Sequence, residues 1–183
     1  MERAVFLDRD GVLNRSTLRN GQPYAPTSLE AFHLLPGVAE AVGDLRQAGF
    51  RLIVVTNQPD IATGKISREI LDQMHKKLLA WLPLDEIKAC CHVDKDQCAC
   101  RKPKPGMLLE AATKWSIDLP RSFMVGDRWR DVSAGKTAGC KTIFIDYGYA
   151  ETQIHQPDFV VSSLSEAAKI ILQPETEIYS PAN

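Results

Sequence analysis

The run Ala4-Val5-Phe6-Leu7-Asp8-Arg9-Asp10-Gly11-Val12-Leu13-Asn14 decides the reading of the fold. Four apolar residues form a short strand pattern and then give way to two aspartates one residue apart. Carboxylates at the end of a buried hydrophobic strand are costly unless they are used. The i, i+2 spacing points both side chains the same way if the strand persists, and Gly11 lets the chain turn tightly away. Two carboxylates with separate duties, as metal ligand, nucleophile or acid/base, give a reason to tolerate that cost.

Outward from this run, short apolar stretches alternate with helical patterns, which predicts an α/β fold with a mainly parallel sheet. The expected strands are 4–7, 51–56, 87–93, 122–125, 141–145 and 158–161. Several are near-continuous apolar runs, as in strands covered on both faces. Val38, Ala41, Val42 and Leu45 recur at helical spacing, and Gly49 can end that helix. Ser67 can cap a helix burying Ile70, Leu71, Met74 and Leu78. Met107, Leu108, Ala111, Ala112 and Trp115 form another stripe, and a short helix over about 129–138 is closed by Gly139. Ser163 and Glu166 have capping-box spacing before a last helix. A single domain over 1–172 is expected, with a loosely ordered tail over 173–183.

The 183 residues suffice for one sizeable core, and the formal net charge is −1. That balance argues against nucleic acid as a partner. With no apolar run of membrane-span length, no signal-peptide pattern and the motif so near Met1, a soluble, cytoplasmic protein without a leader is expected. A small phosphorylated metabolite as partner and a monomeric state are the accompanying expectations.

Further signals fall at the ends of later strands, the edge where open α/β sheets bind ligands. Val54-Val55-Thr56-Asn57-Gln58 offers a hydroxyl and two amides for phosphate oxygens, although such residues also serve simply as turn formers. Arg101-Lys102-Pro103-Lys104-Pro105-Gly106 puts three cations on a loop stiffened by prolines. Met124-Val125-Gly126-Asp127-Arg128-Trp129-Arg130-Asp131 is another apolar strand ending in Gly-Asp. Asp127 suits a hard divalent metal, Arg128 is a further candidate phosphate contact, and Asp131 can support the metal or cap the next helix.

Four of the five cysteines crowd into Cys90-Cys91-His92-Val93-Asp94-Lys95-Asp96-Gln97-Cys98-Ala99-Cys100. Cys90, His92, Cys98 and Cys100 would make a closed Cys₃His zinc site, structural because it leaves no open position. Reduced thiols without a metal are the bland alternative, and Cys91 could stand in for Cys90. Cys140 reads as a packed core thiol.

Taken in order, Asp8-x-Asp10-Gly11, Thr56, Lys102 and Gly126-Asp127 closely resemble the four motifs of the haloacid dehalogenase (HAD) superfamily of phosphohydrolases. The resemblance covers about residues 4–148. It implies a Rossmann-like three-layer sandwich with the first strand central. It implies Asp8 as the nucleophile, Asp10 as general acid and base, and Thr56 and Lys102 as holders of the transferring oxygens. Mg²⁺ would be held by Asp8, Asp127 and the Asp10 backbone carbonyl. The segment C-x-H…C-x-C-R-K-P-K-P-G-M is similar to the branch containing histidinol-phosphate and heptose bisphosphate phosphatases. That likeness supports Cys90 as the zinc ligand and marks Arg101 as a substrate contact. The intervals between Asp10 and Thr56 and between Thr56 and Lys102 leave no room for a large cap domain beyond the expected helices and the zinc loop. The heptose enzymes usually carry an arginine where this chain has Thr63. A sugar bisphosphate is the favoured substrate, with histidinol phosphate as alternative. A polynucleotide 3′-phosphatase and an inactive zinc-stabilised binding module are competing readings.

Overall fold

A computed structural model describes residues 1–174; the expected loose tail falls largely outside the described residues. Six strands form one parallel sheet: β1 (Ala4–Leu7), β4 (Arg51–Asn57), β5 (Glu86–Cys90), β6 (Phe123–Gly126), β7 (Lys141–Ile145) and β8 (Phe159–Val161). Their order is β5-β4-β1-β6-β7-β8, so β1 lies inside the sheet between β4 and β6. Five helices cover it: α1 (Val38–Gln47), α2 (Arg68–Trp81), α3 (Gly106–Trp115), α4 (Trp129–Ala138) and α5 (Leu164–Ile171).

The period of two along the strands divides the core. Val5, Leu7, Val54 and Val125 point to one face and pack with residues of α1, α2 and α5. Ala4, Phe6, Val55 and Met124 point to the other, with Met107, Leu108 and Ala134 of α3 and α4. All four residues of β1 are fully buried. The strand therefore cannot be solvated on either side, which is why it reads as an unbroken apolar run.

The expected caps form. The Ser67 hydroxyl accepts from Ile70 N, and that of Ser163 accepts from Glu166 N. Glu166 reaches back to the Ser162 N–H rather than to Ser163, so the box is displaced by one residue. The fifth expected element, 87–93, is shorter than anticipated. The strand stops at Cys90 because the chain must turn there to bring its sulfur to the other cysteines. One element was unforeseen: a small antiparallel hairpin, β2 (Thr17–Arg19) with β3 (Gln22–Tyr24). Asn20 and Gly21 at its tip both have positive φ, the conformation a two-residue turn requires. Among the described residues, no helix is long and apolar enough to cross a membrane.

Packing of β1 carries a direct expectation. Phe6→Ala empties a fully buried site on the central strand and should cost about 3–5 kcal/mol. Urea denaturation measures it; a loss below about 1 kcal/mol would contradict this account of the core.

Candidate active site at the C-terminal sheet edge

The sheet delivers its polar residues to a cavity of about 350 Å³ whose lining includes Asp8, Asp10, Lys102, Asp127 and Asp131. At its floor lies Lys102, 2% exposed in its side chain. Its ammonium donates to Asp8 Oδ1 at 2.7 Å, Asp131 Oδ1 at 2.6 Å and the Val55 carbonyl at 2.7 Å. An ammonium has three protons, and each has an acceptor. Burial alone would lower the lysine pKa, but the Asp131 and Asp8 carboxylates outweigh it and hold the amine charged. Asp131 has a second duty: its Oδ2 accepts from the Arg128 N–H at the start of α4. It thus caps the helix and grips the lysine at once.

Asp127 is buried, and neither of its carboxylate oxygens has a hydrogen-bond partner. The Tyr149 phenol lies close to it without meeting hydrogen-bond geometry. Burial, then the Asp8 and Asp131 charges, push its pKa well above the usual carboxylate range. Asp8 is pushed up to about 6, by burial first, against the opposing pull of Lys102. Oxygens of Asp8, Asp127 and Asp131 lie within 4.8 Å of one another. Asp8, Asp10, Asp127 and Asp131 face only two buried cations, Lys102 and Arg9, a deficit of two positive charges when all six are ionised. An unpartnered, buried oxygen pair in such a deficit fits a hard divalent cation such as Mg²⁺. Gly11 and Gly126 make room for this grouping. A methyl at Gly11 would overlap the Asp127 carboxylate, and one at Gly126 would overlap Asp131.

Asp10 points elsewhere. Its carboxylate receives Arg9 Nη2 at 3.0 Å, Asn14 Nδ2 at 2.8 Å and Gln58 Nε2 at 2.7 Å. The Arg9 guanidinium is wholly buried, and its Nη1 lies 3.3 Å from His75 Nε2. Burial, then the Arg9 charge, lowers the His75 pKa to about 4, so near neutral pH the ring is uncharged and accepts this bond. Sequence reasoning passed over Arg9, Asn14 and His75. Arg9 carried a legible signal: a charge between i and i+2 acids must face the opposite side, here the interior.

Several expected phosphate contacts have other partners. Thr56 is buried, and its hydroxyl accepts from Gln58 Nε2. Gln58 gives both amide protons to Thr56 and Asp10 and accepts from Arg9, so it organises Asp10 instead of offering a donor to phosphate. Asn57 exchanges two hydrogen bonds with the Lys102 backbone, fixing the lysine's loop. Arg128 is paired with Glu151. Arg101 donates to Asp94 and to the His92 carbonyl. The clustered side-chain oxygens are those of Asp8, Asp127 and Asp131, while the Asp10 carboxylate is turned to Arg9, Asn14 and Gln58.

The cysteine loop closes as the spacing suggested. Sγ of Cys90 lies 3.1 Å from that of Cys100 and 3.6 Å from that of Cys98. His92 Nδ1 is 3.4 Å from both Cys90 and Cys100. Thiolates 2.3 Å from a tetrahedral zinc sit about 3.8 Å apart, so this donor set fits zinc with slight expansion. Cys91 faces away, 3.2 Å from Arg68 Nη1, so the geometry favours Cys90 over Cys91.

Comparison with known proteins places the chain among phosphatases. A family model described as HAD-hydrolase-like matches residues 99–167. The D-glycero-beta-D-manno-heptose-1,7-bisphosphate 7-phosphatase of Pasteurella multocida is 36% identical, over 93% of this chain and 97% of its own length. The solved D,D-heptose 1,7-bisphosphate phosphatase of B. bronchiseptica, complexed with magnesium and phosphate, superposes with a TM-score of 0.78. It is 31% identical, with 93% of this chain and 98% of that one covered. Its counterpart from Burkholderia thailandensis gives a TM-score of 0.64 at 26% identity, over 94% and 100%.

Two outcomes are expected. The purified protein should carry about one zinc per chain by elemental analysis; Cys90→Ser should lose it and Cys91→Ser keep it, and the reverse pattern sinks the assignment. Mg²⁺ should raise the melting temperature more at pH 7.5 than at pH 5. With Asp8 at about 6 in the metal-free fold, protons compete with the metal below that pH and release the site above it. A pH-independent Mg²⁺ effect would refute this linkage.

Proposed function

The chain belongs to the HAD-like phosphatases, in the branch of the heptose 1,7-bisphosphate 7-phosphatases, and from that premise we propose that it hydrolyses a sugar bisphosphate. The favoured substrate is D-glycero-beta-D-manno-heptose 1,7-bisphosphate, cleaved at the 7-phosphate. The observation that carries the reading is the charge arrangement of the floor: a tethered Asp8 beside an unpartnered Asp127.

Asp8 Oδ1 is held by Lys102, which leaves Oδ2 to attack phosphorus. A P–Oδ2 bond forms while the ester P–O bond breaks, and the leaving sugar oxygen takes a proton from Asp10. Water then attacks the same phosphorus and gives its proton to the Asp10 carboxylate. The P–Oδ2 bond breaks, releasing inorganic phosphate and restoring Asp8. As it stands, Asp10 accepts from Arg9, Asn14 and Gln58, the setting of a base; proton delivery in the first step requires the carboxyl to turn off that cradle. Mg²⁺ held by Asp8 and Asp127, with Asp131 alongside, would neutralise charge developing on the phosphoryl oxygens. Lys102 keeps Asp8 and Asp131 from repelling each other. The whole reaction is assigned to one domain over 1–172, the zinc loop holding the segment from which Lys102 and Arg101 project.

Replacement Asp8→Asn should remove phosphate release from the bisphosphate by at least about a thousandfold, because no covalent intermediate can form. Circular dichroism should remain that of the parent. Comparable turnover by the variant would rule out the aspartyl-phosphate route.

A further inference from the structure

We infer that Arg130 is a specificity-determining residue that, with Arg101, binds the phosphate the enzyme does not remove. The inference rests on the sugar-bisphosphate reading above. Its ground is the charge balance around the cavity mouth. Lys65, Arg101, Arg128 and Arg130 all line the cavity. Lys65 is matched by Asp60 at 3.4 Å, and Arg128 by Glu151. Arg101 and Arg130, in contrast, share one carboxylate. Asp94 Oδ1 accepts from Arg101 Nε at 2.8 Å and from Arg130 Nη1 at 3.1 Å, and its Oδ2 lies 3.2 Å from Arg130 Nη2. Two guanidiniums against one anion leave a positive surplus at this corner and at neither of the others.

Geometry separates this corner from the reacting centre. Arg130 Nη1 also lies 3.3 Å from the Lys102 carbonyl, while the Lys102 ammonium is at Asp8. The lysine side chain therefore spans the interval between the nucleophile and the guanidinium pair. A substrate with its scissile phosphate at Asp8 and a second anion beyond the sugar meets both ends of that interval. Asp94 is 65% exposed in its side chain and does not line the cavity. It braces both arginines from behind, as a positioning residue borne on the zinc loop. Arginine is suited to such a place because its fork meets phosphate oxygens in pairs.

The test compares two substrates that differ only in the second phosphate: heptose 1,7-bisphosphate and heptose 7-phosphate. Arg130→Ala should lower kcat/KM for the bisphosphate about ten- to hundredfold, the range for losing a hydrogen bond to a charged group. Heptose 7-phosphate turnover should change less than about threefold, and Arg130→Lys should restore the bisphosphate rate in part. An equal fall for both substrates would mean that Arg130 merely supports the Lys102 loop. No fall for either would mean that it does nothing; both results overturn the inference. Failure of the unaltered protein to hydrolyse either sugar would instead overturn the functional reading itself, and is seen before any Arg130 variant is made.

Discussion

The ammonium of Lys102 is the joint on which this molecule turns. Its three protons go to Asp8 after β1, the Val55 carbonyl within β4 and Asp131 in α4. One buried charge thereby binds the central strand, its neighbour and the helix beyond β6. Removing one partner of a buried ion pair costs about 3–5 kcal/mol, since the survivor is left uncompensated. Here two carboxylates would be stranded together. The lysine cannot wander in search of other acceptors, because its backbone is locked by the reciprocal amide of Asn57.

Around that joint the charges are sorted by depth. Acids dominate the floor, a setting that suits a hard cation. The cavity mouth is nearly neutral except at one corner. A uniformly basic cavity would draw phosphates without discrimination, whereas paired side chains with a single surplus direct one end of the substrate. With a near-neutral net charge over the whole chain, attraction of an anion falls to such local surpluses.

The sheet was legible because burial on both faces leaves a simple mark, the unbroken apolar run. The floor was legible because Asp8 and Asp127 directly follow the ends of β1 and β6, whereas Lys102 reaches it from the loop beyond β5. Less legible was how side chains divide the work there. Thr56, Asn57 and Gln58 read alike as phosphate contacts because all three carry polar groups at one strand end. Yet strand alternation and local packing send Gln58 to Asp10 and Asn57 to a loop distant in the chain. Such partners are long-range and leave no local trace. The β2–β3 hairpin is a different kind of omission. Its strands are short and exposed, with no apolar alternation, and only Asn20-Gly21 announced it.

The central place of β1 also bears on how the molecule assembles. Ala4 pairs with Arg51, and Val5 with Phe123. A strand made at the start of the described chain therefore waits for partners made much later. Until β6 is synthesised, one edge of a wholly apolar strand stays open, a template for pairing with other chains. Contacts of such long range slow folding. The acids that follow β1 are then useful before any chemistry begins, since charge beside an open apolar edge opposes aggregation.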